Sequence, residues 1–545
     1  MTSLISLLLA SSLSFGSPVN YPLSLAGNFG EPRPNHFHCG IDVRTGQVEG
    51  KPIFSVADGY VSRITVGLHG FGNALYVRHP NGVTSVYCHL KKFTPQLAAF
   101  VRAWQYRNKR NYADVILRPT DYPVAQGQLI AVSGNTGASK APHLHLEFHE
   151  TKTGNYIDPL DYLKDFIDDR TKPIAHSFMA YPVKGYGLFC GSSNKQTYGF
   201  SSLNLNRRFT AWGKVGFGVW GNDYMDGSFG ILGVRHLTLE VDGKVVFESN
   251  VDDIPASHNL MVNSWGDYDH YCRTRLWYMK SFADPGNKLP ILTYDDNRGY
   301  VMFTEERDYK LVYTLSDIFG NIRSYSFTVR GQRQTIPPKS NPYVTRLLRY
   351  DRFNVFQRPG VSLLLNPGLL PDDVSLYPIR RTGAEGYSDK WSFYNKSYPL
   401  LGWAKISLKL NKKVRDTDKL YIICNYGSNR YMGGTYQDGW VTGKMRELGA
   451  TYEIGYDDTP PQMSNISIVG NVIRLGLSDS GSGVKNLEGY VDGQFVLFER
   501  VDKTNIYVCR LKETPVVELR KIRCLRLVAE DNLKNRAVVT REIMY

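Results

Sequence analysis

The sequence predicts a mainly β protein. Helical periodicity is rare along its 545 residues, whereas residues that favour strands and turns are plentiful, including 36 Tyr, 25 Phe and 50 Gly. Turn dipeptides punctuate the first third, where Asn81–Gly82 joins NALYVRHP to TSVYCHL as a hairpin. A chain of this length is expected to form three or four domains, and a hydrophobic content of 42% can give each a core.

Charge and composition narrow the class of protein. A formal net charge of +14 favours anionic partners such as nucleic acid, envelope polymers or acidic lipid. The basic residues are scattered and no nucleic-acid-binding signature occurs, so we expect no nucleic-acid partner. No segment approaches about 18 uninterrupted apolar residues, so no transmembrane segment is expected. Seven cysteines are too few for a disulfide scaffold.

The N-terminus resembles a secretory signal peptide. In MTSLISLLLASSLSFGS an apolar run at 4–9 precedes small residues, and Gly16 is a plausible cleavage point. The positive charge usual at the start of such peptides is missing, and a short buried strand is the alternative. We predict that residues 1–16 are a signal peptide and that the protein is exported to the periplasm or to the extracellular cell envelope.

Three linkers divide the rest of the chain into four modules. DDRTKPIA begins at Asp168, TIPPKSNP at Thr335 and DDTPPQ at Asp457. We expect a first module with most of the histidines and one inserted amphipathic helix around residues 97–104, followed by three β-rich modules. The expected ranges are 22–167, 176–332, 336–456 and 459–545.

A weak internal repeat relates the second and fourth modules. VDGKVVFE at 241–248 matches VDGQFVLFE at 491–499, and YTLSDIFGN at 313–321 resembles LVAEDNLKN at 527–535. In each module, a strand–turn–strand unit precedes a turn that carries Asp and Asn. We predict two related β-sandwiches of immunoglobulin-like type, with a separate β-rich module between them.

The stretch APHLHLEFHE at 141–150 predicts the chemistry. His143, His145, Glu147 and His149 alternate with apolar residues, so they share one face of a strand. Adjacent imidazoles suit a metal site, but a catalytic zinc takes three protein ligands and keeps one position for water. Other donors are therefore needed.

Two further segments supply candidate donors. In NHFHCGID at 35–42, His38 and Asp42 are four residues apart around Gly40, so they share a strand face and the glycine permits a close approach. In VYCHL, His89 lies on a predicted strand.

This ordered set resembles the lysostaphin/LytM-type zinc endopeptidases, which cut peptides of bacterial peptidoglycan. The family's His-x-Gly-x-Asp motif corresponds to residues 38–42, its His-x-His motif to residues 143–145, and its intervening histidine to His89. The resemblance covers roughly residues 25–163 and implies an antiparallel β-sheet metallopeptidase domain.

The resemblance also implies a role for each residue. His38, Asp42 and His145 would bind one Zn²⁺ ion, while His143 and His89 would be catalytic. His143 would take a proton from the zinc-activated water and pass it to the leaving amine, and His89 would bind the oxyanion or the water. The two roles can be exchanged without changing the set of residues.

The polar residues next to these motifs are expected to have supporting or structural roles or to be solvated. We expect Glu147 to support the ligands or the structure, His149 to be an exposed histidine at the strand end, and His36 to be solvated or to support a ligand. Cys39 and Cys88 should point away from the site as small buried residues. The stretch between His89 and Gly127 departs from the family, and residues 95–121 are hypothesised to wall the cleft.

The leading hypothesis is an exported zinc endopeptidase that hydrolyses peptide bonds in peptidoglycan stem or cross-link peptides. The alternative is a non-catalytic envelope-binding or regulatory protein that docks on a partner wall hydrolase; an adhesin or scaffold role for the β-rich modules is a third. Because all five histidine and aspartate positions of the motifs are intact, activity is favoured. Envelope proteins or polysaccharide could contact the C-terminal modules, and the cleaved bond is left open between a D-alanyl cross-link and a glycine bridge.

Overall fold

The computed structural model describes residues 14–67, 69–339, 346–383, 385–515 and 522–544. Nearly all of its regular structure is β, which confirms the predicted fold class. Large clusters of buried apolar side chains follow one another along the chain. Most of the predicted signal peptide, residues 1–13, lies outside the described residues.

The main sheet of the first module is antiparallel and places its last strand in the middle. Across the sheet the order is β1–β2–β7–β5–β4–β3–β6, so β7 pairs with both β2 and β5. In chain order the strands are β1 (Leu25–Gly27), β2 (Gly40–Arg44), β3 (Gly59–Val66), β4 (Ala74–Arg78), β5 (Val83–Cys88), β6 (Ala113–Ile116) and β7 (His143–Glu150).

The predicted inserted helix is present as α1 (Pro95–Asn108). Its start is favoured by proline in the first turn, and it ends at Lys109, which has a left-handed backbone. Leu97 and Val101 are buried against the module. The smaller elements of the module are Pro32–Arg33, His36–Phe37, Pro52–Phe54, Lys92–Phe93, Pro123–Val124, Leu129–Val132, Tyr156–Ile157 and Leu160–Leu163.

The second module is built around two long antiparallel strands, Ile174–Phe189 and Asn204–Asn222. Hydrogen bonds join these to a continuous sheet that also includes Gln196–Gly199, His236–Val241, Lys244–Asn250, Met279–Lys280, Leu292–Tyr294, Val301–Phe303, Asp308–Ser316 and Ile322–Gly331. Short helical segments cover one end of it, at Ala256–Met261, Val262–Trp265 and Tyr268–Thr274.

The third module has two five-stranded sheets. One comprises Asn354–Arg358, Val361–Leu365, Pro399–Lys409, Trp440–Glu447 and Thr435–Gln437. The other comprises Ile379–Arg381, Lys390–Ser392, Thr451–Tyr456, Leu420–Asn425 and Asn429–Tyr431. Arg346–Leu348 and Val374–Leu376 form a separate pair.

The fourth module has two four-stranded sheets that share one apolar core. One sheet comprises Gln462–Val469, Val472–Ser478, Ile506–Arg510 and Glu499–Arg500. The other comprises Gln494–Val496, Val484–Val491, Ile522–Asp531 and Arg536–Met544. The immunoglobulin-like character of this module and of the second stays a prediction.

The Asp- and Asn-bearing turns of the repeat have the same hydrogen bonds in both modules. Asn321 N donates to Asp317 Oδ1, and Asn321 Nδ2 donates back to the carbonyl of Asp169 in the preceding linker. Asn535 repeats these contacts with Asp531 and with the carbonyl of the linker residue at 457. Each turn therefore ties its module to the linker through which the chain enters it.

Each of the first two modules contributes apolar side chains to the core of the other. Phe29, Phe37 and Cys39 belong to the apolar cluster of the second module, whereas Met225 and Leu232 belong to that of the first. The two modules are therefore packed as one unit around residues 29–39.

None of the helices in the described ranges has the length and apolar character needed to span a bilayer. At the start of those ranges, Phe15 is 8% exposed and its ring lies 5.2 Å from that of Phe148 and 4.7 Å from that of Tyr162. Gly16 N donates to Val56 O at 2.6 Å. Residues 15 and 16 thus belong to the packed first module.

Candidate metal centre

Strand pairing brings the predicted metal ligands together. In the register of β2 against β7, Asp42 lies opposite His145, and His38 lies two residues before β2. A side chain at Gly40 would clash with the carbonyl oxygen of Leu146, so the glycine of the His-x-Gly-x-Asp motif lets β2 approach β7. Residues 103 and 107 positions apart in the chain thereby become neighbours.

Three donor atoms converge at this point. His38 Nε2 lies 3.0 Å from Asp42 Oδ1 and 3.0 Å from His145 Nδ1, and His145 Nδ1 lies 2.8 Å from Asp42 Oδ1. All three residues are buried. Two imidazole nitrogens and one carboxylate oxygen are a donor set that suits Zn²⁺, so the residues present fit the metal that the sequence predicts.

Hydrogen bonds on the far side of each imidazole set its orientation. His38 Nδ1–H donates to the carbonyl of Asn28 at 2.6 Å, and His145 Nε2–H donates to Glu147 Oε1 at 2.9 Å. These bonds turn His38 Nε2 and His145 Nδ1 towards the centre. Such outer contacts fix the tautomer and increase the basicity of a metal ligand.

Glu147 has the supporting role that was predicted, whereas the prediction for His149 is wrong. His149 Nε2–H donates to Glu147 Oε2 at 2.7 Å, and its ring lies edge-on to Tyr156 at 5.0 Å. It is therefore half-buried in the hydrogen-bond chain behind His145 and not an exposed residue at the strand end. The neighbouring strand that carries Tyr156 covers it.

The two remaining histidines line the same centre. His143 Nε2 lies 3.3 Å from Asp42 Oδ1, and its side chain is 17% exposed. The ring of His89 lies 4.9 Å from that of His143 and 5.7 Å from that of His145. His89 is one residue beyond β5, with a left-handed backbone at φ 59°, so its predicted place within the strand is wrong.

Burial and neighbouring charges set the protonation of the centre. Burial, together with nearby His145 and His143, lowers the pKa of His89 to about 3. Burial alone would also lower the pKa of His145, but hydrogen bonds to Asp42 and Glu147 outweigh it and raise that pKa to about 9. His89 is therefore neutral at pH 7, whereas His145 carries a proton until a cation replaces it.

Arg33 is a site residue that sequence reasoning missed. Its Nη2 donates to Asp42 Oδ2 at 3.0 Å and to Glu31 Oε2 at 3.3 Å. The guanidinium thus binds Oδ2 of Asp42, whereas Oδ1 of the same carboxylate faces the histidines. The only local signal was an arginine five residues before His38, which has no metal-binding meaning by itself.

The other polar predictions near the motif agree with the structure. Cys39 and Cys88 are buried, and burial raises the pKa of both thiols well above the usual value, so they stay protonated and do not compete as ligands. His36 is exposed, with its Nδ1 3.0 Å from Pro34 O.

The inserted helix contacts the fourth module. Arg102 Nη2 donates to Glu513 Oε2 at 3.2 Å, and the ring of Tyr106 lies 5.7 Å from that of Phe495. The last module therefore folds back onto the first. The hypothesis that residues 95–121 wall the cleft stays a prediction.

Three aspartates of the fourth module and its linker form a second cluster of possible metal ligands, but their hydrogen bonds indicate a structural role. Asp457, Asp479 and Asp531 also converge within 4.8 Å. However, Asp457 Oδ2 accepts the amide of Ser482 at 2.7 Å, Asp479 Oδ1 accepts that of Gly483 at 2.7 Å, and Asp531 closes the repeat turn described above. Backbone amides already bind these carboxylates, so we assign them the structural task of holding loops together.

An antiparallel sheet that carries a buried His–Asp–His donor set beside two further imidazoles has the features of a candidate catalytic metal centre. The sequence model of peptidase family M23 matches residues 36–106, which include His38, Asp42 and His89. The first module is a peptidase family M23 domain of the lysostaphin/LytM type. A Zu5-like domain model matches residues 345–457, in the third module.

Named relatives are similar to this chain over part of its length. An "uncharacterized metalloprotease" of Haemophilus influenzae is 34% identical over 123 residues, covering 23% of this chain and 20% of the relative. The DD-carboxypeptidase/endopeptidase Mpg of Neisseria meningitidis is 34% identical over 110 residues, covering 20% and 19%. Glycyl-glycine endopeptidase ALE-1 of Staphylococcus capitis is 29% identical over 177 residues, covering 32% and 40%. The chain thus spans about a fifth of the length of the first two relatives.

Replacing Glu147 by glutamine is expected to weaken metal binding roughly 10–100-fold, because His145 loses the charged acceptor that orients it. The measurement is zinc affinity by competition with a chelating dye. Glu150→Gln is the matched control, since Glu150 lies on the same strand but is exposed. Equal affinities for the two variants would show that Glu147 does not act through His145.

Metal affinity is expected to rise with pH between about 6 and 8. The proton on His145, whose pKa is raised to about 9, must leave when a cation binds, so each unit of pH increase should raise the affinity roughly tenfold. The gain should end near the pKa, where the proton is already lost. Calorimetric titration of the metal-free protein with zinc, in buffers of different ionisation enthalpy, would count the proton that is released. A zinc affinity that does not change with pH would contradict the protonated state assigned to His145.

Proposed function

We propose that this protein is a zinc-dependent endopeptidase that hydrolyses peptide bonds in peptidoglycan stem or cross-link peptides. The observation that carries the proposal is the convergence of His38 Nε2, Asp42 Oδ1 and His145 Nδ1 within 3.0 Å of one another. Those three residues would hold one Zn²⁺ ion. When bound, zinc supplies Lewis acidity that polarises the scissile carbonyl and lowers the pKa of water towards about 7.

The two other histidines are placed for proton transfer. His143 Nδ1–H donates to Ala141 O and His89 Nδ1–H donates to Thr136 O, both at 2.8 Å. With Nδ1–H engaged in this way, an imidazole in its neutral form has an Nε2 lone pair that can accept a proton or a hydrogen bond from water. We assign proton transfer to His143, because its Nε2 lies beside Asp42 and its ring is partly exposed.

In this scheme His143 accepts the proton of the attacking water and returns it to the leaving amine. His89, held neutral by its low pKa of about 3, accepts a hydrogen bond from that water and orients it. The role of oxyanion donor suits His89 less well, because its N–H is already used by Thr136.

The proposed substrate class rests on charge and on the relatives. A net charge of +14 favours an anionic polymer such as the cell wall. Two relatives are named as peptidases of different bonds, a DD-carboxypeptidase/endopeptidase and a glycyl-glycine endopeptidase. The D-alanyl cross-link and the glycine bridge therefore both stay candidate bonds for this chain.

We also propose that the protein is exported and that the four predicted modules are its domains, with the last three positioning the peptidase on the envelope. Phe15 packs into the first module, so cleavage after Gly16 would remove part of its core. We therefore place any cleavage point before Phe15. N-terminal sequencing of the secreted protein would test this placement.

Incubation of purified wall sacculi with the protein, with and without a chelator, tests the proposed activity. Release of peptides that stops with chelator and returns with added zinc is expected, and mass analysis of the new termini identifies the bond. Binding to sacculi without release, at full zinc occupancy, would overturn the proposal in favour of a non-catalytic envelope-binding protein.

A further inference from the structure

We infer that the second module is a working part of the metal centre, in which Asn259 and Asn263 are positioning residues for the ligand His38. This inference rests on the proposed function. The two asparagines lie in the short helical segments Ala256–Met261 and Val262–Trp265, more than 220 residues away in the chain. Their side chains bind the backbone that carries His38.

Side chains of the second module bind one edge of the hairpin before β2. Asn259 Oδ1 accepts the amide of Phe37 at 2.6 Å, and Asn259 Nδ2 lies 3.2 Å from Cys39 Sγ. Asn263 Oδ1 accepts the amide of Asn35 at 3.0 Å. Residues 35, 37 and 39 therefore face the second module, and alternation along the extended chain turns His38 the other way, towards the metal donors.

The turn of this hairpin needs such support. Asn35 has a left-handed backbone, with φ 68°, and its side-chain oxygen accepts Asn263 Nδ2 at 3.1 Å. A non-glycine residue in this region is uncommon and persists where its surroundings hold it. Asn263 binds both the amide and the side chain of Asn35, so it holds the turn in that conformation.

Phe37 provides the apolar part of the anchor. It is 0% exposed, belongs to the apolar cluster of the second module, and its ring lies 5.9 Å from that of Trp265. Because Phe37 adjoins His38, movement of the second module away from the first would carry the ligand's backbone with it.

A second clamp holds the hydrogen-bond partner of His38. The carbonyl of Asn28 accepts His38 Nδ1–H. The side chain of Asn28 is in turn paired with the backbone of Gly233 in the second module, through Nδ2 to the carbonyl at 2.8 Å and from the amide to Oδ1 at 2.7 Å. Both the backbone and the ring of His38 are thus oriented by contacts that cross the module boundary.

Zinc competition measurements on the full chain test the inference. Asn259→Ala and Asn263→Ala are each expected to lower zinc affinity about tenfold, the lower end of the loss for outer contacts of a metal ligand, because they act through the backbone next to His38. Asn259→Asp keeps the acceptor for the Phe37 amide and should restore most of the affinity. Asn297→Ala, at an exposed position of the same module, is the matched control and should change nothing.

The thermal midpoint of the metal-free protein separates positioning from general stability. A positioning role predicts lost zinc affinity at a nearly unchanged midpoint. Wild-type zinc affinity in both alanine variants would overturn the inference, and if one of them fails to fold, the other decides. Absence of zinc uptake by the wild type would instead refute the proposed function itself, so the two failures are distinguishable.

Discussion

The His145→Ala variant is expected to take up no zinc and to lose all metal-dependent hydrolysis of the wall. His145 Nδ1 lies within 3.0 Å of both other donors, so its removal leaves a two-ligand site whose remaining carboxylate is already bound by Arg33. A catalytic zinc needs three protein ligands to stay bound with a position open for chemistry. Zinc content per chain and peptide release from sacculi measure the two effects.

His36→Ala is the control for this experiment. His36 is an imidazole of the same segment, two residues before His38 and outside the motif, and it is exposed. It should keep full zinc content and activity. Retained zinc in the His145→Ala protein would show that the metal is held elsewhere, and the proposed centre would have to be abandoned.

Replacing His143 by alanine is expected to lower kcat roughly 10²–10⁴-fold, the usual contribution of a positioned acid–base group. Zinc should stay bound, because the three donor atoms come from other residues. The KM for a soluble wall peptide should change little, since the lost proton transfer acts in the chemical step. Steady-state kinetics at matched zinc occupancy measure the effect.

The comparison with His89→Ala then separates the two histidines. If His89 only orients the water, the loss in its variant should be smaller than that in His143→Ala. A larger loss of kcat in His89→Ala than in His143→Ala would assign proton transfer to His89 and orientation of the water to His143. The set of site residues would stay the same. Full activity of His143→Ala at wild-type zinc content would contradict its role in proton transfer.

The centre and its scaffold come from different parts of the chain. Sequence alternation within β7 places His145 and Glu147 on one face, and pairing with β2 adds Asp42. The second module then orients His38 through Asn28 and the hairpin at 35–39. An excised first module would lose these contacts, so its metal affinity is not expected to represent that of the whole protein.

Residue order by itself predicted the fold class and, through the family resemblance, the five motif residues of the candidate site. A strand has a side-chain period of two, so HLHLEFHE already placed three imidazoles and a carboxylate on one face. The four-residue spacing of His38 and Asp42 around Gly40 likewise predicted that these two side chains share a face. Local geometry of this kind depends only on neighbours in the chain, and the sequence is sufficient to predict it.

Tertiary structure alone decided what surrounds those residues. Arg33 reaches Asp42 from another strand, the strand of Tyr156 covers His149, and Asn259 reaches Phe37; no local pattern encodes these contacts. His89 lies one residue beyond its predicted strand, where the carbonyl of Thr136 accepts a hydrogen bond from its ring. Such contacts join different elements of the fold, and their geometry is set only when those elements pack together.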